Sequence, residues 1–215
     1  DDKFDETHPF YRLFHQLAAL RAAHPALRTG AMIPRSGAGP GLFAFSRIER
    51  SERIEYLIAL NNSRNNALTA RISTGQPAGA RLVRIFDSSL PGDAKAATLT
   101  ADEAGRVTVT LDPLQYAVWR ATAPLPALDT SPQISFVTPS AGEALKFSTH
   151  EVNGLVFASR QEIRAEVTGG DGFAEVTFAM ARASRPGQFE LLGTDDNAPY
   201  RIFWRPPPDL APDEE

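Results

Sequence analysis

A chain of 215 residues with 42% apolar and 22% charged content is long enough for one large or two smaller cores, and too apolar for a disordered polymer. Residues 1–122 carry 15 Lys+Arg against 12 Asp+Glu and residues 123–215 carry 7 against 14, so neither part has the basic charge that a nucleic-acid partner requires. The absence of cysteine excludes disulfides and thiolate metal sites. No apolar run reaches the roughly 18–20 residues of a membrane span, and no signal peptide is read at the start.

The acidic stretch Asp1–Glu6 is expected to be loose. Thr7 or His8 then caps a helix, with Pro9 at the first helical position, where its missing N–H costs nothing. Phe10, Leu13, Phe14, Leu17 and Leu20 follow at the spacing of one apolar stripe, and Pro25 ends the helix near His24. A lone helix of this length is marginal, so the stripe needs a partner. Ala31–Gly41 is predicted to be flexible and turn-rich, with its Gly37–Gly41 run a plain loop.

Leu42–Ile48 and Ile54–Asn61 read as an antiparallel pair around which the chain is organised. In the first, Phe43 and Phe45 alternate with Ala44 and Ser46; the second is nearly continuous in apolar residues, as expected of a strand buried on both faces. The connection Glu49–Arg53 is too charged to bury and is expected in water. Leu68–Ser73, Leu82–Phe86, Val107–Leu111 and Tyr116–Arg120 supply further short strands, and Asp87–Asp93 a turn between them. A sandwich closing near Ala121 follows.

Residues 123–132 hold three prolines and are predicted to be a semi-rigid linker. Strands at Ile134–Val137, Ile163–Val167, Ala174–Met180, Phe189–Leu192 and Tyr200–Trp204 then predict a second sandwich over 133–205. The end, 206–215, is acidic and proline-rich, as a disordered tail would be. The expected fold class is therefore all-β: two tandem β-sandwiches preceded by one amphipathic helix.

No motif for nucleophilic, phosphate-binding or dinucleotide chemistry is present, and the four histidines lack the carboxylate pattern of a metal helix. Asp102 and Glu103 are adjacent in a turn, the wrong arrangement for a pair of carboxylates working across a glycosidic bond. Asp195, Asp196 and Asn197 form the one oxygen-rich run that could attract calcium, although a turn between two strands needs the same residue types. Trp204 and Trp119 are the candidates for stacking on a sugar ring, each weighed against a place in the core. No cofactor is expected.

His8-Pro9-Phe10-Tyr11-Arg12, Leu17-Ala18-Ala19-Leu20-Arg21-Ala22-Ala23-His24-Pro25-Ala26-Leu27, Phe43-Ala44-Phe45-Ser46-Arg47, Tyr56-Leu57-Ile58-Ala59-Leu60-Asn61-Asn62-Ser63 and Leu111-Asp112-Pro113-Leu114-Gln115-Tyr116-Ala117-Val118-Trp119-Arg120 stand in an order and spacing of their own. Over residues 8–122 they resemble the end of an α-amylase-family enzyme, glycoside hydrolase family 13. The resemblance implies that 1–30 is the last helix of an α/β barrel otherwise missing from the chain. Phe10, Leu13, Phe14 and Leu17 would pack on that barrel, and 31–122 would be the Greek-key sandwich called domain C. The family's catalytic carboxylates lie upstream, and no residue here corresponds to them.

Val137-Thr138-Pro139-Ser140-Ala141-Gly142, Ala174-Glu175-Val176-Thr177-Phe178 and Gly193-Thr194-Asp195-Asp196-Asn197-Ala198-Pro199-Tyr200 make 133–205 similar to bacterial immunoglobulin-like modules that accompany secreted carbohydrate enzymes. Together the resemblances imply a non-catalytic accessory region of a secreted or periplasmic α-glucan-acting glycosidase. Its partners would be the upstream barrel of the same polypeptide and α-glucan. The alternative is a stand-alone carbohydrate-binding or cell-surface adhesion module of linked sandwiches.

Overall fold

The computed structural model describes residues 5–36, 41–89, 97–127, 131–170 and 172–207. The expectations for the first four residues, most of the Gly37–Gly41 run, the end of the Asp87–Asp93 turn, the middle of the linker and most of the tail lie outside them. The chain divides into two units, Asp1–Ala127 and Leu128–Glu215.

The first unit opens with α1 (Pro9–Ala23), capped by His8, whose Nδ1 accepts from the N–H of Phe10 at 3.2 Å. A short α2 (Ala26–Thr29) follows and buries Ala26 and Leu27. Six strands then form an antiparallel sheet in the order β1-β2-β3-β8-β5-β6: β1 (Ala31–Pro34), β2 (Phe43–Ile48), β3 (Glu55–Leu60), β5 (Arg81–Asp87), β6 (Thr98–Thr100) and β8 (Tyr116–Ala121). β4 (Leu68–Ser73) and β7 (Arg106–Leu111) pair as a second layer.

The core lies between the layers. Leu57 and Ala59 of β3, Trp119 of β8 and Leu82 of β5 meet Ile72, Val107 and Val109. The opposite face of the large sheet is also covered: Tyr56, Ile58 and Val118 pack with Ala26 and Leu27 of α2 and with Leu20 of α1. β3 is therefore buried on both faces, as its unbroken apolar run predicts.

One expectation for this unit is corrected. Ala31–Pro34, expected in a flexible stretch, is an edge strand paired with β2 from Ala31↔Ile48 to Pro34↔Phe45. Gly30 makes its entry possible, because a Cβ there would lie 2.7 Å from the Ile48 carbonyl oxygen. In β2 the small residues Ala44 and Ser46 face the sandwich, while Phe43 is exposed and Phe45 packs on the helix side. The pairing puts Ala44 opposite Ala59 and Ser46 opposite Leu57, where bulk is already supplied. The α1 stripe is only half covered: Leu13, Leu17 and Leu20 are half-buried, but Phe10 is 66% and Phe14 69% exposed.

The second unit contains a three-stranded antiparallel sheet in the order β15-β12-β9, built from β9 (Gln133–Thr138), β12 (Gln161–Thr168) and β15 (Tyr200–Trp204). A hairpin of β13 (Val176–Met180) and β14 (Glu190–Asp195) lies over it, and Val176 and Phe178 pack against Ile163, Ala165 and Tyr200. A second hairpin, β10 (Thr149–Val152) and β11 (Leu155–Ala158), turns at Asn153-Gly154, both with positive φ, the requirement of a two-residue turn. Both units are thus mostly antiparallel β-structure, as expected, with two helices in the first where the sequence predicts one.

Candidate functional site

Arginines in the charged turn Glu49–Arg53, in β2 and in α1 act as anchors. Arg47 donates to the carbonyls of Ala26 (3.2 Å) and Arg28 (3.1 Å), and Arg50 to that of Thr29 (3.0 Å). Arg21 reaches the Leu27 carbonyl at 2.9 Å. The Ala26 carbonyl also accepts from the Gly30 N–H, while carbonyls at the end of a helix lack intrahelical partners and positive groups there suit the helix dipole. Arg53, held at φ 57°, donates to the carbonyls of Leu125 (3.2 Å) and Pro126 (2.5 Å), while its own carbonyl accepts from the N–H of Leu125 (2.9 Å). The first part of the expected linker is therefore fastened to the sandwich, with Leu125 buried.

A second contact fixes the helices from above the sheet. The Tyr56 hydroxyl is shared by Nδ1 of His24 (3.1 Å) and Nε of Arg120 (3.0 Å). Burial, and then the charge of Arg120, hold the His24 imidazole below its ordinary pKa, so the neutral ring is the form that fits.

The one fully buried carboxylate of the large sheet is Glu55. Oε1 accepts from Arg35 Nη2 (2.8 Å) and Ser46 Oγ (2.5 Å), and Oε2 from Gly75 N (3.0 Å) and Gln76 Nε2 (3.2 Å). Arg35 Nε in turn donates to Ser46 Oγ at 2.8 Å. Four donor groups occupy the oxygens, so the carboxylate holds β1, β2, β3 and the Thr74–Gln76 turn together and is not presented to a substrate. Asp87 Oδ1 accepts from Gln115 (2.8 Å) and the N–H of Ser89 (2.9 Å), and its Oδ2 is ion-paired with Arg84 at 2.7 Å. Asp102 accepts the N–H groups of Ala104 and Arg106 and pairs with Arg71; the Arg106 N–H and then Arg71 hold its carboxyl below the usual range. It is a turn residue.

The residues singled out from the sequence are not brought together. Trp119 is 3% exposed inside the first sandwich and offers no face to a sugar; its indole N–H has no hydrogen-bond partner among the described residues. Asp195 accepts from the N–H groups of Asn197 (3.1 Å) and Arg201 (2.8 Å), and Asp196 from the Asn197 side chain (2.6 Å). These oxygens serve the β14–β15 turn instead of converging on a cation, and no cluster of three or more metal-binding side chains occurs among the described residues. Trp204 is half-buried at the end of the second core, with Phe147 edge-on at 5.7 Å and 75°. Beside it, Arg205 lies 5.2 Å over the ring of Phe157. An open hollow of about 560 Å³ in the same unit is lined by Val137, residues 164–167 and residues 198–200. No described helix is long and apolar enough to cross a membrane.

The fold and these contacts define a helix-backed β-sandwich followed by a smaller β-module, in which every well-ordered polar cluster described above is spent on structure. The chain is 32% identical over 200 residues to an alpha-amylase of Streptomyces lividans, a match that covers 93% of this chain and 19% of that protein. The resemblance to the α-amylase family of glycoside hydrolases is thereby borne out, and the chain spans about a fifth of the length of that relative. No protein-family model matches the sequence. Among solved structures, isomaltulose synthase from Klebsiella sp. LX3 aligns with 54% of this chain and 18% of its own, at 19% identity and a TM-score of 0.41. Trehalulose synthase from Pseudomonas mesoacidophila MX-45 aligns with 55% and 18%, at 21% identity and a TM-score of 0.39.

Proposed function

We propose that this chain is the accessory C-terminal region of an extracellular α-amylase-family glycosidase acting on α-glucans. In this reading the first unit backs the catalytic barrel of the same polypeptide. The second, an immunoglobulin-like module, spaces that barrel or contacts polysaccharide through Trp204. The observation that carries the reading is α1: Arg21 joins the two helices and Arg47, Arg50 and His24 fasten the pair to the sheet, yet Phe10 and Phe14 on it remain exposed. A helix fastened on one side and apolar on the other is built to be covered twice.

Sedimentation of the purified chain tests this. Self-association that disappears in a Phe10→Asp/Phe14→Asp variant with unchanged circular dichroism is expected; a monomer at all concentrations would count against the docking face. Retardation on native gels cast with soluble starch, lost in a folded Trp204→Ala variant, is the expected sign of polysaccharide contact. Unchanged mobility leaves the second unit a spacer. Hydrolysis of α-glucan by this chain alone, abolished by a substitution within it, would overturn the reading.

A further inference from the structure

In an antiparallel pair, residues directly opposite each other project from the same face. Phe136 of β9 stands opposite Ala165 of β12, and Ile134 opposite Val167. Ala165 is 4% exposed in the core of the second unit, and Val167 packs against that core. Ile134 and Phe136 therefore point into the sandwich, yet they are 62% and 66% exposed. No described strand of the second layer covers them.

Where that layer lies is fixed by packing. A Cβ on Gly193 of β14 would meet the side chain of Ile202 at 3.0 Å, so β14 lies over β15. Val176 and Phe178 of β13 share one core with Ile163 and Ala165 of β12 and Tyr200 of β15, and with β14 over β15 its partner β13 falls over β12. β13 pairs with β14 alone among the described strands, and its other edge faces the side of β9. An open strand edge directly above an uncovered apolar strand is the template for one more strand.

We infer that the outer edge of β13 receives an extended segment with apolar side chains at alternate positions, which covers Ile134 and Phe136. We assign that segment to the same polypeptide outside residues 1–215. Such a tether supplies it at high local concentration, and the α-amylase relative has about four-fifths of its length outside the match. The assignment rests on the reading above that the chain is part of a longer protein. The geometry of the edge does not.

Hydrogen exchange tests it, comparing this 215-residue chain with the longer parent polypeptide. Amides of β13 directed away from β14 are expected to exchange freely in the chain and at least about tenfold more slowly in the parent. A Phe136→Asp substitution in the parent should return them to fast exchange while leaving the exchange of β3 unaltered. Equal exchange in both proteins overturns the proposal. Protection that grows with concentration in the 215-residue chain overturns the assigned occupant in favour of a second copy. A parent that protects β13 but cleaves no α-glucan would refute the enzyme assignment and leave this inference standing.

Discussion

The two units use the same antiparallel strands and reach different degrees of closure. In the first, β3 is covered by a second β-layer on one side and by helices on the other, and Arg21, Arg47, Arg50 and Arg53 are tied into carbonyls and Arg35 into Glu55. In the second, three of the described strands face two, and Ile134 and Phe136 on the inner side of β9 are left exposed. The difference lies in the second layer. A strand pattern specifies which residues seek cover, and only the number of neighbours decides whether they find it.

The largest expected effect separates the units. Glu55→Ala strands Arg35 and three further donors in a buried site and should cost about 3–5 kcal/mol. In urea the transition of the first unit should move while that of the second stays. Phe178→Ala should do the reverse, at about 3 kcal/mol or more, because it empties the centre of the core shared by β12, β13, β14 and β15. If either substitution shifts both transitions equally, the units do not fold independently. Arg53→Ala removes two charge-assisted bonds to the linker and should cost about 1–2 kcal/mol, with faster proteolysis near Pro126 as the sharper readout.

Acidification should act on the first unit through His24. Its pKa is lowered on folding, so its contribution is intact above the ordinary value of 6.5 and is lost as pH falls below that through the folded value. Melting of the first unit between pH 7.5 and 5 should show the decline, and His24→Gln should flatten it. The smallest effect is expected for Phe136→Asp in the 215-residue chain, within about 0.5 kcal/mol, since the ring is already in solvent.

Much of the first unit was legible in the sequence. Proline at the start of α1, the stripe behind it and the apolar run of β3 carry local signals that survive in the fold. The facing of β2 was not legible, because alternation names an inward side only when one face is wet, and here both are covered. β1 was hidden by its length of four residues and its position before a glycine-rich run. The β10–β11 hairpin was overlooked even though Asn153-Gly154 between Val152 and Leu155 is a strong hairpin signal. The Glu55 cluster had no local signal: Arg35, Ser46 and Gln76 are brought to it from 20, 9 and 21 residues away. The arginine anchors share that cause, since their acceptors are backbone carbonyls, which a sequence cannot distinguish from one another.

Glu55 has a consequence for how β3 finds its place. A strand apolar on both sides can slide by one residue against β2 or β8 and still bury every side chain, so hydrophobicity alone leaves its alignment nearly degenerate. The carboxylate breaks that degeneracy. Only with Glu55 opposite Ile48 do Ser46, Arg35 and the Thr74–Gln76 turn meet it together; in any shifted alignment a charge enters the interior without its four donors. One acidic residue at the end of the most apolar strand thus acts as the index mark by which the whole sheet is assembled.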